Sequence, residues 1–189
     1  MSDRAKLLRK VSRLLKKRKK EYGTIITAEM GKPIGQATAE VEKCAWVCEY
    51  YADNAEGFLT QEMVETEYRK SYVTFEPLGV IAGIMPWNFP FWQVVRFAAP
   101  TLTAGNVVVL KHSSVVPGTS LALEDLFQNA GYPNGVFQTV IGPSMLGEQL
   151  IQSKIDAVSV TGGTGTGAKV AEVAGRKLKK TVLEPVSYT

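Results

Sequence analysis

Ala157-Val158-Ser159-Val160-Thr161-Gly162-Gly163-Thr164-Gly165-Thr166-Gly167-Ala168 changes character twice. A short run rich in β-branched residues ends in a glycine-rich turn, and a helical stretch from Thr166 to Leu178 follows. Such a segment reads as strand, turn and helix. Working backward, the same unit recurs. Val136–Ile141 precedes a short helix at Met145–Ser153, Val107–Lys111 precedes a helix at Pro117–Ala130 closed by Gly131, and Val80–Ile84 precedes Phe91–Leu102, with Pro100 near its end. Forward lies one more strand, Thr181–Leu183. Strands alternating with helices at this spacing predict βαβ units and a parallel sheet. Right-handed crossovers then place helices on both faces. The expected architecture is α/β, a Rossmann-like doubly wound parallel sheet.

Before Pro77 the rhythm is different. From about Asp3 to Met30, Leu7, Leu8, Val11, Leu14, Leu15, Tyr22, Ile25 and Ile26 recur at helical steps, with one turn missing at Arg18. Gly31 and Pro33 stop that pattern as a helix end does. A second helix runs from about Ile34 to Glu56, with Cys44 and Cys48 inside its apolar stripe, and Tyr72–Phe75 reads as a strand. An α-helical pair is therefore expected ahead of the sheet.

The chain has 189 residues, of which 45% are hydrophobic and 21% charged. That balance excludes disorder over the whole chain. No apolar run approaches the length of a membrane span, and no apolar stretch follows the basic N-terminus as a secretory signal requires. Two cysteines are too few for a disulfide framework, so a cytoplasmic protein is expected. The net charge of +4 is unevenly spread: residues 1–20 hold ten basic side chains and one acid, and the remainder is net acidic. Basicity is thus a property of one helix, whose apolar stripe predicts packing on the domain rather than on nucleic acid.

In a doubly wound sheet, ligands sit beyond the carboxyl ends of the strands. Four strand ends carry informative residues. After Val80–Ile84 come Met85-Pro86-Trp87-Asn88-Phe89-Pro90. Asn88 reads either as an NH2 donor for a developing oxyanion or as a capping residue in a proline-stiffened turn. After Val107–Leu110 come Lys111-His112-Ser113-Ser114. Lys111 reads as a ribose or phosphate ligand or as a lysine snorkelling to solvent, and His112 by itself reads as structural. The glycine turn at residues 161–168 suits a pyrophosphate at a helix N-terminus, or is merely a flexible turn. Glu184 follows the last strand. Its distance from Gly163 fits a ribose-binding acid, and the bland alternative is a solvated carboxylate.

Together these motifs resemble the aldehyde dehydrogenase superfamily over nearly the whole chain. Glu29-Met30-Gly31-Lys32-Pro33, Pro86-Trp87-Asn88-Phe89-Pro90, Ala104-Gly105-Asn106-Val107-Val108-Val109-Leu110-Lys111 and Thr161-Gly162-Gly163-Thr164 with Gly167 appear in the family's order. The resemblance implies oxidation of an aldehyde to a carboxylate with NADP or NAD, through a cysteine thiolate and a water-activating glutamate. It implies that Asn88 is the oxyanion donor and Glu184 the general base, a role that displaces the ribose-binding one. Met85, Pro86, Trp87, Lys111, His112, Ser114, Gly162 and Gly163 would line the cofactor cleft. Ser114 stands where many members carry an acid, which admits a 2′-phosphate. Phe91-Trp92-Gln93-Val94-Val95-Arg96 is similar to the succinate-semialdehyde branch, and Arg96 would pair with the substrate's distal carboxylate. No metal site is expected.

The chain also departs from the family. Cys44 and Cys48 lie in a helix core, so no nucleophilic cysteine is expected at the site. Gly163 replaces a serine. The family continues after Glu184 with leucine and two glycines, where this chain has Pro185-Val186-Ser187-Tyr188-Thr189. The expected organisation is a partial, truncated cofactor-binding domain at 1–184 (helical pair 1–57, strand segment 71–77, βα units 78–184), an atypical tail at 185–189 and no catalytic domain. The expectation is a chain inactive alone, completed by a second chain or a homo-oligomer, or else a cofactor-binding regulatory partner of a full-length dehydrogenase.

Overall fold

The computed structural model describes residues 2–185. The elements are α1 (Ser2–Lys17), α2 (Lys19–Met30), α3 (Ile34–Phe58), β1 (Glu62–Val64), β2 (Ser71–Val73), β3 (Val80–Met85), α4 (Trp92–Thr103), β4 (Val107–His112), α5 (Pro117–Asn129), β5 (Phe137–Thr139), α6 (Met145–Gln152), β6 (Ala157–Gly162), α7 (Thr164–Arg176) and β7 (Lys180–Pro185). Every strand–helix unit expected after Pro77 is present, with ends shifted by a few residues. Residues 186–189 of the expected tail lie outside the described residues.

Five strands form a sheet in the order β5-β4-β3-β6-β7, with all neighbours parallel. The chain winds outward from β3 to β5, returns through α6 to β6 and winds outward again to β7. The doubly wound topology thus has its switch point between β3 and β6.

Residues in register on neighbouring parallel strands share a face. On the front face, Met85, Val108, Leu110 and Phe137 pack with Val94, Val95 and Leu102 of α4 and with Leu123 and Phe127 of α5. On the back face, Ala82, Val158 and Val160 pack with Ile151 of α6 and with Val170 and Ala174 of α7. Among the described residues, no helix covers the front of the β6–β7 half. Gly83 lets α4 come close: a Cβ there would lie 2.6 Å from the Phe97 ring.

The expected helical pair is three helices. The break falls at Arg18 (φ −100, ψ 14), where the apolar stripe skips a turn. Backbone bonds run on through it, from Arg18 N–H to the Leu14 carbonyl and from Tyr22 N–H to the Arg18 carbonyl. The bend lets Leu8, Val11 and Leu15 of α1 and Tyr22 and Ile26 of α2 all be fully buried in one core with α3, α4 and α5. The basic run is tied to the protein's own acids: Arg9 to Asp53, Lys16 to Glu49, Arg18 to Glu21 and Asp125, and Lys19 to Glu42. The strand expected at Tyr72–Phe75 is Ser71–Val73, and it belongs not to the main sheet but to an antiparallel ribbon with β1.

Candidate active site

The turn after β3 is clamped by a buried ion pair. Lys32, just past the end of α2, meets Glu40 of α3, and both side chains are almost wholly buried. Lys32 Nζ also donates to the Asn88 carbonyl at 2.8 Å and sits 3.8 Å from the Phe89 ring centroid. The other Glu40 oxygen accepts from the backbone N–H groups of Phe91 and Trp92, at 2.9 and 3.0 Å, where α4 begins. The pair therefore fixes the backbone at Asn88 and the point where its segment enters α4. Phe89 N–H donates to Asn88 Oδ1 at 3.0 Å, which orients the amide and leaves its NH2 group for another acceptor. Trp87 stands exposed beside it.

Across the switch point, Gly163 precedes α7 in an extended conformation (φ −63, ψ 154), and a Cβ added there would meet nothing within 4 Å. The first N–H groups of α7 point out of the sheet end, a setting that favours an anion. Behind it, between α6 and α7, lies a cavity of about 350 Å³. Ile84, Met145, Ile151, Thr166 and Val170 line it, and an ion pair between Lys169 and Glu148 closes one rim. Lys111 is in register with Ile84 and so shares this face. It is buried, not a lysine snorkelling at the surface, and its Nζ donates to the His112 carbonyl at 2.7 Å. Burial lowers its pKa. Ser114 is exposed on the loop after β4.

His112 is placed differently from the residues it was grouped with. Nε2 lies 3.0 Å from the Pro90 carbonyl, and Nδ1 accepts from Ser113 N–H at 2.9 Å. Both nitrogens meet backbone only, so the ring ties the end of β4 to the Asn88 turn. Its pKa is lowered, chiefly by burial.

On the front face, the helix-free half of the sheet forms the floor of a groove of about 840 Å³. Ser159, Thr161, Val182 and Glu184 lie along the floor, with Trp92 and Arg96 of α4 and Val47 and Tyr51 of α3 as walls. Arg96 spans it. Its Nε donates to Gln93 at 2.9 Å, Nη1 to Glu184 Oε1 at 2.8 Å and Nη2 to Thr161 Oγ1 at 3.1 Å. Nη2 also meets the second Glu184 oxygen, which accepts from Thr161 Oγ1 as well. Two residues singled out for separate roles are thus in direct contact.

A family model described as the aldehyde dehydrogenase family matches residues 1–186. The chain belongs to the aldehyde dehydrogenase family. Among its relatives, a probable NADP(+) succinate-semialdehyde dehydrogenase of Synechocystis is 50% identical over 184 residues, 97% of this chain and 40% of that protein. The NAD(P)+ succinate semialdehyde dehydrogenase Sad of Escherichia coli is 43% identical, over 96% of this chain and 39% of its own length. The crystal structure of the Streptococcus pyogenes succinic semialdehyde dehydrogenase in complex with NADP+ superposes with a TM-score of 0.94 at 37% identity, over 97% of this chain and 41% of that one. The chain thus spans about 40% of the length of the relatives it matches.

In this member of the aldehyde dehydrogenase family, Asn88, Trp87, Gly162 and Gly163 flank the switch point, and Arg96 and Glu184 meet in the front groove. Met85 is buried and lines that groove, and Pro86 starts the turn. Both cysteines are fully buried in α3, and burial raises their pKa values. Neither thiol reaches the groove. Sequence reasoning missed the Lys32–Glu40 clamp. A lysine between a helix-ending glycine and a proline, Gly31-Lys32-Pro33, and a glutamate one turn after Ala37 of the apolar stripe were the signal for it.

Proposed function

We propose that this chain forms the nucleotide-binding part of an NAD(P)+-dependent dehydrogenase that oxidises a semialdehyde, such as succinate semialdehyde, to the acid. The observation that carries this reading is the pairing at one switch point of an oriented amide donor, Asn88, with an open glycine turn at the start of α7. A dinucleotide needs N–H donors for its phosphates, a slot for a base and polar groups for a ribose. The start of α7, the cavity between α6 and α7, and Lys111 with Ser114 match those needs. The bound dinucleotide supplies a hydride acceptor.

The chain's own residues do the remaining work. Lys32 and Glu40 hold the Asn88 turn, so that the free amide N–H can donate to a carbonyl oxygen as it gains negative charge. Glu184 is the candidate base, positioned by Arg96 and Thr161. For it to take a proton from water, Arg96 must loosen its hold. A substrate carboxylate arriving at the guanidinium would do that, because a planar fork can exchange one carboxylate for another. The nucleophilic thiolate must come from outside these residues, since Cys44 and Cys48 are enclosed in α3. The 189 residues by themselves are accordingly inactive.

Calorimetric titration with NADP+ and NAD+ tests the cofactor reading. Both should bind, and Ser114→Glu should weaken NADP+ about tenfold through repulsion of the 2′-phosphate, with NAD+ nearly unchanged. Absence of any nucleotide binding overturns it. A parallel assay with succinate semialdehyde and NADP+ should show no sustained growth of the reduced-nicotinamide band. Steady turnover would mean that a nucleophile lies within the chain.

A further inference from the structure

Beside the front groove, outside its lining, stands a cation that the reading above does not use. α3 lines the groove with Val47 and Tyr51, and Lys43 stands one turn earlier on the same stripe. Its Nζ lies 3.9 Å from the centroid of the Trp92 ring. Trp92 itself lines the groove, one turn before Arg96 on α4. Trp92 and Arg96 thus line the groove, and Lys43 caps the Trp92 ring from just outside that lining.

The two cations differ in what neutralises them. Arg96 is engaged by Gln93, Thr161 and Glu184. Lys43 is exposed and has no ion-pair partner among the described residues. The acids nearest to it on α3 are committed elsewhere, Glu40 to Lys32 and Glu42 to Lys19. An ammonium resting on an aromatic face keeps donors free on its other side. Lys180, at the far end of the floor, adds positive charge, and among the described residues Glu184 is the one acid that lines the groove.

We propose that Lys43, carried on Trp92, forms the outer half of a carboxylate site whose inner half is Arg96, and that it selects short aliphatic oxo-acids over uncharged aldehydes. The inference rests on the reading of Arg96 as the group that meets the substrate carboxylate. An incoming anion first meets the free ammonium at the rim, then competes with Glu184 for the guanidinium.

The test uses the full chain with Trp46→Phe and Trp87→Phe, so that Trp92 is the one indole left. Succinate is the anionic probe and succinamide the neutral one. Succinate should shift the Trp92 emission saturably. Lys43→Gln should raise its apparent Kd about fivefold at low salt, Lys43→Arg should restore binding, and the difference should shrink in high salt. Succinamide should not distinguish the variants. Far-UV circular dichroism and a urea curve matching those of the parent exclude unfolding as the cause. Unchanged succinate affinity in Lys43→Gln, with binding still lost in Arg96→Gln, overturns this inference and leaves the Arg96 reading standing. Binding that is absent in the parent, or indifferent to Arg96→Gln, overturns both.

Discussion

At Lys32 a single ammonium touches a carboxylate, a carbonyl and a ring, and both members of the ion pair are almost wholly buried. Removing one member of such a pair leaves its partner buried and uncompensated. Lys32→Met or Glu40→Gln should therefore cost about 3–5 kcal/mol in a urea unfolding experiment. The double change Lys32→Met with Glu40→Leu should cost less than the sum, because it removes both charges at once. His112 makes a pH prediction. Its pKa is held below its ordinary value of 6.5, so between those two values the unfolded chain binds the proton and the folded chain does not. Stability should consequently fall as pH drops below about 6.5, and His112→Gln should flatten that slope in unfolding curves recorded across the range.

Individual elements differ in how much room they leave. Gly83 on β3 has none on the side of α4, so Gly83→Ala should destabilise by about 1–3 kcal/mol as Phe97 is pushed aside. Gly163 is the opposite case, since nothing crowds it and its backbone suits any residue. Gly163→Ser should fold normally. If the nucleotide lies at α7, the added hydroxyl should tighten NADP+ about fivefold in a titration, the effect of one hydrogen bond of roughly 1 kcal/mol. At this scale the sequence was most legible. Alternation of β-branched runs with amphipathic stretches marked each unit from β3 to β7, because each strand stays extended to pair while each crossover helix turns an apolar stripe to the sheet. It failed at β1, where Glu62-Met63-Val64 is too short and too exposed to carry a period. It also could not foresee the contact between Arg96 and Glu184, 88 residues apart, which exists because α4 leans over the uncovered half of the sheet.

Over the whole molecule, two cores share one sheet. α1 to α5 enclose the front of the β5-β4-β3 half, and α6 and α7 enclose the back of the β3-β6-β7 half. The asymmetry explains why the site motifs were visible in sequence while the groove was not. The motifs are local turns at strand ends, whereas the groove is defined by where no helix lies. The same arrangement puts both thiols in the larger core. A disulfide exchange reagent should label neither Cys44 nor Cys48 in the folded chain, and labelling should appear in step with unfolding as urea rises. Prompt labelling without denaturant would show that α3 opens locally.

β7 pairs with β6 alone among the described residues, and every one of its residues is exposed. Its amides should therefore exchange with solvent deuterium well before those of β3, which is hydrogen-bonded on both sides. The proposed base rides on that thinly protected strand. Whatever lies along the outer edge of β7 would slow its opening and steady the carboxylate together, so protection factors along this strand would report on how ready Glu184 is to act.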